Sequence, residues 1–394
     1  MKYPYSSPNF SIADLLRALV LPHCLAEQRL KAYFSSLTGK KYILLTNSCR
    51  TALYLSYKAA GLGGEVITTP LTCKVAIDPI EEAGYKPVFA DISMGDLNIN
   101  PSDIEHRINP ETKAIQAIHL GGVACKMDEI KRISEKHHLW LIEDCAQALG
   151  AKYNGRFTGT FGDIACFSLI KNGYGIGGGV LATDDVQTFK KANEINVSLG
   201  EIPKKLLLWR VIRNLVASKR NTRLGNYFFT LLLKIKGEKK SYSSVVGQLY
   251  RLSPIELKIA AYQSSRYNSL HHKRKQNGKL YYSMLTEKGL IINDKYDPDK
   301  SSYTKFFIHN PSLDSQVWLK KFNSKGVEAM HLEEKTGSPY QEQIVNAAMA
   351  TSCGLNNYHK IHGHLISLPL CENFDTISIA AICDTFTSHL IKNK

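Results

Sequence analysis

From about residue 42 the chain alternates short apolar runs with longer stretches whose apolar residues recur at helical spacing. Tyr42 to Asn47, Glu65 to Thr69, Pro87 to Ile92, Ala114 to Leu120, Leu139 to Glu143, Ile164 to Leu169 and Gly179 to Thr183 read as strands. Between them, Thr51 to Ala60 and Met127 to His137 read as helices. The alternation predicts an α/β fold with a mostly parallel central sheet covered by helices on both faces. Such sheets take ligands beyond the carboxyl ends of their strands.

After Asp185 the pattern changes. Leu208, Val211, Ile212 and Leu215 keep helical spacing, so amphipathic helices are expected in an insertion at about 200–245. Residues 250–285 read as one long helix with a polar, basic face. Beyond it, Tyr303 to His309, Val327 to Leu332 and Leu365 to Leu370 are strand candidates, with helices near Ser315 to Lys325, Gln343 to Cys353 and Thr376 to Ile391. The expected organisation is a large domain over 1–250 carrying the basic insertion, then a linking helix and a small C-terminal α+β domain over 251–394.

Composition narrows the class. In 394 residues, 44% are apolar and 22% charged, as in folded globular proteins. No stretch reaches the roughly 18 apolar residues of a spanning helix, and Asp14 and Arg17 interrupt the one apolar run that could serve as a signal peptide. Nine cysteines form no CxxC pair, which predicts a reducing cytoplasm and no structural metal site.

The net charge of +15 fits nucleic acid, an anionic membrane or a phosphorylated substrate. Residues 201–240 hold eleven Lys or Arg against Glu201 and Glu238, so +9 of the +15 lies in that segment. Three readings stand for it: a helical insertion packed on its own subunit or dimer mate, a face that approaches an anionic membrane with Trp209, Tyr227, Phe228 and Phe229 as interfacial aromatics, or a positive rim that steers an anionic substrate. A basic nucleic-acid-binding protein is the reading from another class, but the segment holds no recognition module or aromatic platform, so no nucleic acid is expected.

The chemistry concentrates in residues 139–151, LWLIEDCAQALGA, and in Phe167-Ser-Leu-Ile-Lys171 followed by the glycine-rich run 173–179. The first is an apolar strand that delivers Glu143 and Asp144 to a sheet edge. The second brings a lysine to the end of another strand-like run. A lysine facing a carboxylate across a cofactor is what a pyridoxal phosphate enzyme requires: the lysine bonds the cofactor, and the carboxylate pairs with the pyridinium nitrogen so that the ring remains an electron sink. Each residue alone has a plainer reading as a helix cap, a solvated charge or a loop glycine.

In these motifs, and in residues 42–53, 64–70, 83–92, 118–122, 143–148, 162–168, 177–184, 250–258 and 365–370, the chain resembles the DegT/DnrJ/EryC1/StrS family of pyridoxal phosphate-dependent sugar aminotransferases, which have the type I transferase fold. The resemblance implies Lys171 as the cofactor-bonding lysine, Asp144 as the pyridinium partner, Gln147 beside the phenolic oxygen, Ser168 on the phosphate, Cys49 and Arg50 in the phosphate-binding helix turn, and Cys73 against the ring face. It implies a homodimer that aminates a keto group on a nucleotide-linked deoxysugar, with glutamate as donor, for polysaccharide or glycoconjugate biosynthesis. Lysine rather than histidine at 171 favours transamination over dehydration, with the neutral amine as base and therefore a depressed pKa.

The chain departs from the family pattern in four places. The stretch from Ser168 to Lys171 is two residues short, so either the loop is re-routed or the lysine displaced. Gly177 replaces an acid, Cys73 an aromatic residue, and Leu249 an asparagine that reaches across the dimer. These departures keep a second reading open: the same fold with altered or lost transaminase chemistry, as a sugar dehydratase or an inactive homologue. His119, after an apolar strand, reads as a core residue.

Overall fold

The computed structural model describes residues 3–4, 8–61, 63–171, 173, 175–236, 248–287, 300–309, 314–331, 354–361 and 363–390. The alternating pattern folds as β1 (Tyr42–Thr46), β2 (Glu65–Thr68), β3 (Lys86–Phe89), β4 (Thr112–Ile118), β5 (Trp140–Asp144), a hairpin of β6 (Lys152–Tyr153) and β7 (Arg156–Phe157), then β8 (Ile164–Ser168) and β9 (Gly179–Thr183). Seven of these form one sheet in the order β1-β9-β8-β5-β4-β2-β3. It is parallel from β3 to β8, and β9 runs antiparallel to both its neighbours.

Successive side chains on a strand face opposite sides, and the core divides accordingly. Leu44, Ile142, Cys166 and Leu181 pack under the helix Cys49–Ala60 on one face. Ile43, Phe167, Val180 and Ala182 pack on the other with the helix His23–Thr38 and with Leu257 and Ala260. On that second face Leu141 joins a cluster with Ile130 and Ile133 of the helix Met127–Lys136. Covering both faces is the reason the strands read as near-continuous apolar runs.

A second, antiparallel sheet of β10 (Phe306–His309), β11 (Met330–His331) and β12 (Leu365–Leu368), in the order β10-β12-β11, has its own core around Phe306, Trp318, Phe322 and Ile366. Tyr3 forms a bridge with Val327, so the start of the chain lies with this sheet. The helix expected near Gln343 to Cys353 lies outside the described residues. No helix among the described residues is long and apolar enough to cross a membrane.

The single long helix expected over 250–285 is corrected to two, Pro254–Ser264 and Tyr267–Glu287. Ser253 and Glu256 form a capping box that starts the first helix. At Ser265 and Arg266 the backbone tightens to i→i−3 bonds, Ser265 N–H to Tyr262 and Arg266 N–H to Gln263. The break turns Arg266 onto Asp14 at 2.9 Å and buries Tyr267, whose hydroxyl donates to the Leu149 carbonyl. The first helix thereby stays in the core of the large sheet, and the second runs out to the small one.

Gly278, inside the second helix, is where that helix meets the core of the small sheet. A Cβ there would lie 2.1–2.4 Å from three ring carbons of Tyr303, a buried residue held at φ +50°. Gly→Ala in a helix interior normally gains up to about 1 kcal/mol, but overpacking costs about 1–3 kcal/mol, so the clash should win. Gly278→Ala is expected to lower the urea midpoint with an unchanged m-value; a raised midpoint would show that the contact is loose.

Candidate active site

Adjacent residues at the end of β5 meet different surroundings. Glu143 shares the face of Leu141 and is fully buried. Its carboxylate accepts N–H bonds from Gly159 at 2.7 Å, Phe161 at 2.8 Å and Gly162 at 2.6 Å, and pairs with His119 Nε2 at 3.1 Å. Burial alone would push this carboxyl up; His119 and the N–H groups outweigh burial and hold it below its ordinary value. His119 Nδ1 accepts the Cys125 N–H at 3.1 Å, so the Nε2 proton faces Glu143. Among the described residues, His119, Glu143 and Cys145 form a trio whose ligand atoms lie within 4.8 Å of one another. Its His and Glu atoms are already engaged in these bonds, which makes it a hydrogen-bonded core rather than a metal site.

Asp144 shares the opposite face with Ile142 and meets the helix Cys49–Ala60. One carboxylate oxygen takes the Ala146 N–H at 2.9 Å and the Cys49 thiol at 3.9 Å. Burial dominates here and raises its pKa, although Lys171 and the Ala146 N–H pull the other way. Burial also pushes the Cys49 thiol far up, so Cys49 is a neutral neighbour.

Ser48 caps the helix by accepting the Thr51 N–H at 3.1 Å, and the helix N-terminus at Cys49 and Arg50 is a natural site for an anion. Gly179 makes this end reachable: a Cβ on it would stand 2.3–2.5 Å from the backbone of Ser48 and Cys49. Ser168 pairs with Gly179 in register. The hydroxyl of Ser168 and the helix end therefore converge, a cradle that fits a phosphate.

Beyond Ser168 the short loop folds back in a tight turn. Lys171 N–H turns back onto Ser168 Oγ at 3.3 Å, Gly173 N–H bonds the Ile170 carbonyl at 3.1 Å, and Gly175 N–H bonds the Leu169 carbonyl at 3.0 Å. This turn places Lys171 on the lining of a cavity of about 300 Å³, closed in by the surrounding protein. Cys73 and Gln147 line the same cavity, Gln147 accepting the Gly121 N–H at 3.1 Å. Asp144, Cys49 and Ser168 lie buried behind its wall.

The depressed lysine pKa expected from the sequence is corrected. Burial does lower it, but Cys73, Asp144 and Cys49 together outweigh burial, and the Lys171 pKa is raised. Asp144 is thus one of the neighbours that favour the charged ammonium.

Other parts of the site left no local signal in the sequence. A Cβ on Gly177 would lie 2.0 Å from Glu256 Oε1, so a buried carboxylate of the helix Pro254–Ser264 stands against the loop position where the acid is missing. Arg210, from the helix Lys204–Ala217 of the basic insertion, pairs with that carboxylate at 2.6 Å. Val211 and Leu215 of the same helix pack with Phe10, Ile176 and Ile259, and Asn214 lines the cavity. Across the cavity, Arg274 Nε bonds Glu372 Oε1 at 2.8 Å, a pair 98 residues apart in sequence. Leu249 packs against the large core, and Arg251 pairs with Glu201 at 3.5 Å.

Residues 23–387 match the model of the DegT/DnrJ/EryC1/StrS aminotransferase family. The chain is 35% identical over 321 residues to GDP-perosamine synthase of Vibrio cholerae, covering 79% of this chain and 81% of that protein. It is 38% identical over 174 residues to the spore coat polysaccharide biosynthesis protein SpsC of Bacillus subtilis, a match covering 43% of this chain and spanning only 45% of that relative's length. Among solved structures, the Helicobacter pylori aminotransferase PseC, involved in pseudoaminic acid biosynthesis, superposes with a TM-score of 0.76 at 21% identity over the whole of both chains, which shows a shared fold. With this match over nearly its whole length, the chain belongs to the DegT/DnrJ/EryC1/StrS aminotransferase family, whose members use pyridoxal phosphate.

Proposed function

We propose that the protein transfers an amino group to a keto carbon of a nucleotide-linked deoxysugar, with glutamate as donor, as a cytoplasmic homodimer that supplies polysaccharide or glycoconjugate synthesis. The observation that carries the reading is Lys171, turned into the cavity and held charged by the buried Asp144 behind it. GDP-perosamine synthase, a relative named for a nucleotide-linked amino sugar, supports the substrate class. The arginine and lysine at 274 and 305, which also line the cavity, suit the carboxylates of an amino-acid donor.

The residues fit the family cofactor. Ser168 and the N–H groups at Cys49 and Arg50 would hold the phosphate, Asp144 the ring nitrogen, Gln147 the phenolic side and Cys73 one ring face. Lys171 would carry the covalent link. When bound, pyridoxal phosphate supplies an electron sink for negative charge at the carbon that carries nitrogen. Lys171 Nζ is the base that we assign to moving the proton on and off that carbon. Asp144 determines how readily Nζ loses its proton, and its burial keeps competing water away. Gln147 and Cys73 orient the ring without exchanging protons. We also assign cofactor binding to the 1–250 lobe and the closing wall of the cavity to the 251–394 lobe.

The shortened stretch from Ser168 to Lys171 favours the second reading, altered chemistry on the same fold, and the two readings separate experimentally. Protein loaded with pyridoxal phosphate is expected to show a visible absorption band that glutamate bleaches and that Lys171→Ala abolishes. A band that survives in Lys171→Ala removes the lysine assignment, and a lysine-dependent band that glutamate leaves unchanged favours altered chemistry.

The raised lysine pKa fixes a sign for pH. Only the neutral amine attacks the cofactor aldehyde, so covalent capture by the free protein should accelerate about tenfold per pH unit from neutral pH until the lysine titrates. Asp144→Asn removes the carboxylate that holds the proton, and should shift this profile to lower pH. Stopped-flow absorbance across pH checks both; an unshifted profile in Asp144→Asn would mean that the carboxylate does not control Nζ.

A further inference from the structure

The basic insertion has an inner side that serves the cavity and an outer side that nothing among the described residues covers. The helix Lys204–Ala217 is followed by a second helix, Arg223–Lys236, packed against it as a hairpin. Arg210 and Arg220 turn inward, onto Glu256 at 2.6 Å and Glu328 at 2.6 Å, and fix the hairpin to both lobes. The outward residues are of two kinds. Leu208 and Ile212, four apart on the first helix, and Leu224, Tyr227, Phe228 and Leu231, at three- and four-residue spacing on the second, are exposed, Leu224 at 69% and Tyr227 at 64%. Beside them Lys204, Lys205, Arg213, Lys219, Arg223 and Lys234 are exposed and form no ion pair among the described residues.

We propose that this hairpin docks the protein on an anionic lipid surface. An exposed apolar stripe flanked by lysine and arginine is the pattern of a helix lying in a bilayer interface, its apolar side chains about 5–10 Å into the headgroup and acyl boundary. The cations then meet anionic headgroups, which attract each basic residue near the surface. Charge argues against the other occupants. No acidic residue stands between Glu201 and Glu238, so a two-fold contact of this hairpin with its own copy would set the same cations against one another. A nucleic acid would pair with the cations but leave six large apolar side chains without partners. Asn214 lines the cavity from the first helix, so a docked bilayer lies about one helix diameter, ~10 Å, from the cavity wall.

The test uses the full chain and sucrose-loaded vesicles of phosphatidylcholine, alone or mixed with phosphatidylglycerol. The protein is expected to sediment with the mixed vesicles, less as salt rises, and not with phosphatidylcholine alone. Replacing Leu224, Tyr227 and Phe228 together by serine is expected to lower the partition coefficient at least ~10-fold, and Lys204→Glu with Lys205→Glu to lower it ~10-fold or more. All five positions are exposed, so thermal melts followed by circular dichroism should match the parent. Absence of sedimentation with mixed vesicles at low salt, equal sedimentation with both kinds, or indifference to the serine variant overturns the proposal. So does dissociation of a larger assembly by the serine variant in sedimentation velocity, which would assign the face to a second copy. Tight duplex DNA binding that only the lysine variant weakens would assign it to nucleic acid.

Discussion

Two consecutive carboxylates at the end of one buried strand set the terms for the rest of the site. The twofold period of β5 sends Glu143 and Asp144 to opposite faces of the sheet. An ionised carboxylate buried without partners costs several kcal/mol, so each face must answer it. On one face three backbone N–H groups from the turn at Gly159, Phe161 and Gly162, with His119, surround Glu143. That set fixes the course of the chain between β7 and β8. On the other face Asp144 receives fewer backbone bonds, the Ala146 N–H with the Cys49 thiol and the Gln116 side chain, and Lys171 is the first of the neighbours that offset its burial. The two carboxylates thus differ in direction: the N–H-rich set holds Glu143 below its ordinary pKa, while burial raises that of Asp144.

The lysine can answer only if the backbone around it comes very close. Gly179 lets β9 run against the start of the helix Cys49–Ala60, and Gly177 leaves room for the Glu256 carboxylate. A side chain at either position would collide with atoms that cannot move far. Glu256 is in turn held by its own capping box and by Arg210. The insertion, which the charge pattern marks as something apart, is therefore tied to the lysine loop by the Arg210–Glu256 ion pair and by the packing of Val211 and Leu215 with Ile176. Deleting Arg210 would leave Glu256 buried and unpaired, a change that typically costs 3–5 kcal/mol.

The large sheet was legible because its strands are local objects: each is a short apolar run, and β1, β5, β8 and β9 begin or end within a residue or so of the expected places. The candidates Asp144 and Lys171 stand out in the sequence because strand ends are where such sheets keep their chemistry, whereas Gln147 and Ser168 are candidates only through the family resemblance. What escaped notice depends on distance in sequence. The Arg274–Glu372 pair and the approach of Phe10 to Ile176 join segments that share no pattern. The break at Ser265 lies in a run whose composition is helical throughout; only the burial of Tyr267 and the pairing of Arg266 with Asp14 call for it. The direction of the lysine shift failed for a similar reason. Burial was foreseeable from position, but the balance between burial and a facing carboxylate needs the geometry of both.

The hairpin shows how one segment can answer two solvents. On a helix packed by one stripe, the outer face is ordinarily polar, and in 204–236 it is not: leucine, isoleucine, tyrosine and phenylalanine stand among the lysines. Keeping them in water has no benefit for the fold, because Val211, Leu215 and the two inward arginines already anchor the hairpin. The same helix thus carries a residue of the cavity wall and part of the outer apolar stripe. The same hairpin meets the lysine loop through Arg210, whose partner Glu256 lies against Gly177.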